Sequence, residues 1–330
     1  MLVGSRQQYC AVESGEHKVS ELLQQAREKR LGYASGITAV LIWTGFILAS
    51  RQGGISALSA NDVIAIRYVT CAVILLPFWL FKFRFSLRNW RLWVIGLVGG
   101  LAYALCAFRG FQLAPASHAA VLLPGALPVL TLLLAALVNR EAHPYPKWLG
   151  VGLMTLGIMS LAWAEMAMNS QPGPGHFWFL SAAFFWALFS VLVKRWHITP
   201  WQATVSLAMV TSVFYLPVYL LWLPKSIALA SWQDIGLQAV YQGILATIIQ
   251  MLCYITAVRY IGPAAMGSLM ALVPITAGLL AIWVFDEALT TWLVLAIALV
   301  SIGSWVAQQN SLRRKSRSKK RSAEACLSST

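Results

Sequence analysis

From Leu31 onward, apolar runs alternate with short polar connections, and each run is about twenty residues long, the length an α-helix needs to cross a hydrocarbon core roughly 30 Å thick. Ten such runs are legible. The first five cover residues 31–49, 61–81, 92–113, 117–138 and 147–164, and the second five cover 176–193, 201–223, 235–257, 263–285 and 291–307. The pattern predicts an all-α integral membrane protein with ten transmembrane helices. Ahead of the runs, residues 1–30 are polar and lack the apolar core of a cleavable signal peptide. Val19, Leu22, Leu23 and Ala26 recur there at helical spacing among Lys18, Arg27, Lys29 and Arg30, which reads either as a short amphipathic helix on a membrane surface or as a frayed tail.

The runs are organised as one unit built twice. Pro128 to Ala142, PVLTLLLAALVNREA, is echoed by Pro274 to Ala288, PITAGLLAIWVFDEA, with thirteen residues from Pro to Glu in each copy. Leu133, Leu134, Ala135 and Val138 find their matches in Leu279, Leu280, Ala281 and Val284, and Gly157 and Gly303 follow their glutamates at equal distance. Two repeats are expected, 31–165 and 176–307. Each holds five spans, an odd number, so the second copy enters from the opposite side and the repeats are inverted.

Composition agrees with a bilayer rather than a soluble core: 59% of the residues are hydrophobic and 11% are charged. The net charge of +14 resides in tails and connections, so it reports topology and not nucleic acid. With the N-terminus in the cytoplasm, 21 Lys and Arg fall on the cytoplasmic side and three on the other, which places both termini inside. The basic tail at 308–330 is expected to lie unstructured beside anionic lipid. Cys10, Cys71, Cys106, Cys253 and Cys326 have neither disulfide nor metal spacing and read as packing residues where they fall in spans.

The motif LIWTGFI around Trp43, the Pro128 and Glu141 pattern and its copy at Pro274 and Glu287 together resemble the EamA family of the drug/metabolite transporter superfamily. The resemblance covers residues 35 to 307, including Arg67. It implies a ten-helix transporter with a central cavity between two halves, open alternately to either side. A small metabolite of the amino-acid class, and export, are also implied by resemblance alone.

The residues point the same way. Pro124, Pro128 and Pro274 each remove a helical hydrogen bond, which in lipid is tolerable beside protein or a wet cavity, so they read as hinges facing the repeat interface or as packing kinks. Arg67 is the one charge clearly inside a span; Asp62 and Glu165 are its candidate ion-pair partners, and an anionic solute group is the alternative. Trp43 and Trp186, Tyr103, and Gln250 with Tyr254 supply aromatic and polar groups at mid-span for a small organic solute, or plain core packing. His118 opens the fourth span and reads as an interface histidine or a further binding residue. The sequence shows no phosphate-binding loop, metal cluster or paired-carboxylate motif, and no cofactor is expected. No carboxylate lies at span depth, so transport is expected to run without a carboxylate proton relay. The resulting expectation is a secondary transporter of a small polar organic metabolite in a bacterial-type inner membrane. A membrane-embedded enzyme and a non-transporting scaffold or sensor are the competing readings.

Overall fold

The structure is a computed structural model that describes residues 3–83, 88–139, 145–167 and 173–308, with side chains for 23–82, 88–138, 145–163, 173–262 and 265–308. Glu141, the side chain of Glu165 and the basic tail fall outside these residues. The described chain forms helices α1 (Val3–Ile55), α2 (Ala60–Lys82), α3 (Trp90–Leu113), α4 (Ala116–Val138), α5 (Tyr145–Ala167), α6 (Pro174–Arg195), α7 (Pro200–Leu221), α8 (Trp232–Gly262), α9 (Ala265–Phe285) and α10 (Thr291–Gln308). Within the described residues, nine of these helices contain an 18-residue stretch apolar enough to span a membrane. Leu137, Val73 and Trp283 stand exposed on the outside of the bundle, as side chains facing lipid do.

Helix starts follow local chemistry. Ser59 and Asp62 form a capping box at α2, and Thr199 and Gln202 form another at α7 with Pro200 in the first turn. The N-terminal segment is not a separate surface helix, since α1 runs unbroken from Val3 to Ile55. Gly262, at φ 85°, turns the chain sharply between α8 and α9; this left-handed backbone suits glycine, and Pro263 after it cannot continue the ladder.

The two repeats embrace. Helix α1 packs on α8 and α9, while its counterpart α6 packs on α3 and α4. Helices α2 and α7 meet each other, α3 lies on α7 as α8 lies on α2, and α4 touches α9. Every one of these contacts joins one repeat to the other or has a partner that does, so the core is shared. Glycines permit the closest crossings. A Cβ on Gly303 would sit 2.7 Å from the Gly150 carbonyl oxygen, and one on Gly157 would sit 3.0 Å from that of Ala296, so α5 and α10 pack backbone against backbone. The glycines that echo one another in sequence thus mark one interface.

Contacts also sort the helix ends into two sets. Arg51 at the end of α1 donates to the Phe111 carbonyl at the end of α3, Tyr219 at the end of α7 donates to Asp62 at the start of α2, and Glu287 after α9 meets the start of α4. At the other end of the bundle, Arg195 of α6 donates to the Val138 carbonyl of α4, Gly32 of α1 faces Ile261 of α8, and Gly267 of α9 faces Gln308 of α10. The first end is called here the Glu287 end and the second the Gln308 end.

Candidate functional site

The prolines behave differently in the two copies. Helix α4 continues through Pro124 and Pro128, and the carbonyls of Ala120 and Pro124 lose their helical donors beside a cavity that both prolines line. In α9 the ladder is interrupted at Ala271 and Leu272, a new helical segment begins at Val273, and Pro274 occupies its first turn. Pro274 itself is buried and off the cavity wall, whereas its neighbour Val273 lines it. Across this break Thr276 hydrogen-bonds Thr44 of α1 at 2.6 Å.

The cavity has a volume of about 430 Å³ and lies between the repeats. Pro124, Pro128, Trp186 and Ser190 reach it from α4 and α6, and Gln250, Tyr254, Met270 and Ser304 from α8, α9 and α10. Its lining extends to Pro200 and Gln308, so it occupies the Gln308 half of the bundle. Among the described residues, none that lines it is charged.

A smaller space of about 30 Å³ adjoins it and shares Trp43, Trp186 and Gln250 as walls; Arg67, Tyr103, Phe46 and Ala246 complete it. Local structure explains how two of these side chains meet. Helix α3 widens into π-type turns over Gly96–Ala102, and its counterpart α8 does so over Ala239–Ile249. Tyr103 and Gln250 are the residues that follow these stretches in the two repeats, and both face the small space. Trp43 and Trp186 occupy corresponding helices α1 and α6. Arg67 breaks the symmetry, because the second repeat has no arginine in α7.

Arg67 is 6% exposed. Its Nη1 donates to Gln242 Oε1 at 3.5 Å, and its guanidinium carbon lies 5.7, 5.8 and 5.9 Å from the ring centres of Phe46, Tyr68 and Phe108. Asp62 is not its partner. That carboxylate, fully buried, accepts from the Ser59 amide and hydroxyl at 2.8 and 2.7 Å, the Tyr219 hydroxyl at 2.6 Å and the Ser226 amide at 3.0 Å. It ties α2 to the end of α7 and the loop after it.

A second carboxylate joins the two repeats at the Glu287 end. Glu287 accepts the backbone amides of Ala116 and Ser117, the first residues of α4, at 2.7 and 2.8 Å, and its Oε1 lies 4.0 Å from Arg51 Nε. An anion is well placed at these free amides. His118, which the sequence offers as a binding residue, lies at this end and faces neither cavity; its Nδ1 is 2.8 Å from Nε2 of His176 and the rings stack. Of the sequence candidates, the structure therefore gathers Trp43, Arg67, Tyr103, Trp186, Gln250 and Tyr254 along two adjoining cavities and leaves His118 outside. Sequence reasoning missed Ser190, Phe189, Ser304 and Gln308 in the cavity wall and the contact of Glu287 with the start of α4, although the doubled Pro and Glu spacing was a signal for the last. Among the described residues, no cluster of three or more His, Cys, Asp or Glu gathers.

An inverted pair of helical repeats around a cavity is a transporter's architecture, and the sequence of each half matches the EamA-like transporter family, over residues 30–163 and 173–307. The chain belongs to that family. As an EamA-family chain it is a membrane transporter protein built of two repeats. It is similar to a Pseudomonas aeruginosa protein named "Uncharacterized transporter PA0485", at 27% identity over 308 residues that cover 86% of this chain and 96% of the relative. A solved crystal structure with 20% identity and a TM-score of 0.57 covers 86% of this EamA chain and 97% of its own, a likeness of fold.

Proposed function

We propose that this EamA-family protein moves a small polar organic metabolite, of the amino-acid or a related class, across a bacterial-type inner membrane by alternating access, in the direction of export. The observation that carries this reading is the cavity of about 430 Å³, lined by both repeats, which extends to the Gln308 end while Glu287 ties the repeats together at the other. The excess of Lys and Arg beside the Gln308 end supports placing it, and both termini, in the cytoplasm, with the basic tail against anionic lipid. The cavity then faces the cytoplasm in this conformation, ready to load a solute for export. Among the described residues no Asp, Glu or His lines either cavity, which supports exchange or facilitated diffusion over proton coupling through a carboxylate.

Accessibility tests it. Ser190→Cys, in a chain cleared of its native cysteines, places one thiol in the cavity wall. In right-side-out and inside-out vesicles alike, a membrane-impermeant thiol reagent is expected to modify it, because the cavity opens to each face in turn. Modification from one face only would remove alternating access.

A further inference from the structure

The small space around Arg67 holds polar groups that the protein itself does not satisfy. Arg67 Nε and Trp43 Nε1 are both buried without a hydrogen-bond partner. Of the five N–H donors on the Arg67 guanidinium, the structure occupies one, with the 3.5 Å bond to Gln242. No carboxylate among the described residues lies within 4.0 Å of it, and Asp62 is already committed to four other donors. The Tyr103 hydroxyl and the Gln250 amide, which face the same space, make no hydrogen bond among the described residues either.

Chemistry and size select what belongs there. Arg67 and Trp43 offer donors alone, and an arginine in a membrane span keeps its proton, so the missing group is an acceptor that carries negative charge. A space of about 30 Å³ has room for about two water-sized groups. That matches the two oxygens of a carboxylate and is too small for the four of a phosphate. A planar carboxylate also fits the fork of a guanidinium, which an isolated halide does not exploit. Beyond the shared walls Trp43, Trp186 and Gln250 lies the larger cavity, uncharged and largely apolar, where the body of the same molecule can extend.

We infer that Arg67, Trp43, Tyr103 and Gln250 form a carboxylate subsite, and that the solute is an organic acid recognised by its carboxylate with its apolar body against Trp186 and the proline-lined wall of α4. This rests on the transport reading for its biological meaning, and on the unsatisfied donors for its chemistry. Among the described residues no acidic side chain lines either cavity, so the subsite reads the carboxylate of such a solute and not an ammonium group.

The test is calorimetric titration of the purified full chain with monocarboxylates from acetate to 3-phenylpropionate, each beside its neutral amide, and with 2-phenylethylamine. The carboxylates with longer apolar bodies are expected to bind, and the amides and the amine to bind at least about tenfold more weakly, the scale of a charge-assisted hydrogen bond. Arg67→Met is expected to lower carboxylate affinity by about the same factor or more while leaving the weak amide binding unchanged. If Arg67→Met does not fold, Trp43→Phe, which removes the N–H and keeps a ring, and Gln250→Glu, which places a negative charge in the subsite, are each expected to weaken carboxylate binding selectively. No binding by any carboxylate of the series, amides that bind as well as acids, or folded variants that retain parental carboxylate affinity would overturn the subsite. Carboxylate binding with no flux across a membrane leaves the subsite standing and removes the transport reading; flux of amines without carboxylate binding does the reverse.

Discussion

Replacing Asp62 with alanine is expected to lower stability by about 3–5 kcal/mol, the scale for breaking a buried, fully bonded charge. Two effects oppose each other here. Removing the carboxylate relieves the cost of holding a charge away from water, but that charge is already solvated by four donors at 2.6 to 3.0 Å. Its removal leaves the Ser59 and Ser226 amides and two hydroxyls facing an empty site, and it also deletes half of the capping box of α2. The second effect is the larger. Asp62→Asn keeps the shape and one acceptor, and is expected to lose about half as much. The check is the denaturation midpoint of each purified variant in the same detergent; a loss below about 1 kcal/mol for alanine would mean the network does not hold α2 to α7.

Glu287→Ala is expected to act on conformation more than on folding. The carboxylate joins the end of α9 in one repeat to the first amides of α4 in the other, so it stabilises the state in which this end is shut. Its loss removes two charge-assisted bonds, and a shift of about tenfold or more in the balance between states follows from 1.4 kcal/mol or more. Ala120, fully buried one turn inside α4, gives a readout. A cysteine there, in a chain without other thiols, is expected to react with impermeant reagent from the Glu287 end about tenfold faster once Glu287 is alanine. Glu287→Gln, which retains an acceptor, is expected to fall between. Equal rates in all three proteins would show that the bonds seen at α4 do not hold this end closed.

The two carboxylates also show where a sequence stops being legible. Span lengths, the repeat and its inversion could be read because each is a periodic or counting property of the chain. Trp43, Trp186, Tyr103, Gln250 and Tyr254 could be placed near mid-span by the same counting, and the cavity walls are where the structure puts them. The depth of Arg67 was legible too, but that Asp62 is not its partner was not, since Asp62 is only five residues away and its competing partners Tyr219 and Ser226 are 157 and 164 residues distant. The Glu287 contact likewise joins residues 171 positions apart. His118 is a further case: the sequence leaves it between an interface histidine and a binding residue, and its contact with His176, 58 residues on, could not be read there. The π-type turns in α3 and α8 shift the faces of Tyr103 and Gln250, and apolar periodicity at helical spacing carries no sign of them.

Pro128 and Pro274 look identical in the doubled motif, yet α4 is continuous and α9 is interrupted at Ala271 and Leu272. The difference follows from surroundings. The α9 segment begins again at Val273 beside the Thr44–Thr276 contact with α1, and a proline in a first turn costs no hydrogen bond.

The claim on which the rest depends is that the chain carries a solute through this cavity, and counterflow measures that most directly. Proteoliposomes loaded with unlabelled solute, with phenylalanine in one preparation and 3-phenylpropionate in another, are diluted into a trace of the same labelled compound at equal pH inside and out. The account predicts a transient accumulation of label above equilibrium for at least one of the two, absent from protein-free vesicles and unchanged when a pH gradient is imposed. Uptake of both compounds indistinguishable from protein-free vesicles would contradict it, as would accumulation that appears only when a pH gradient is present.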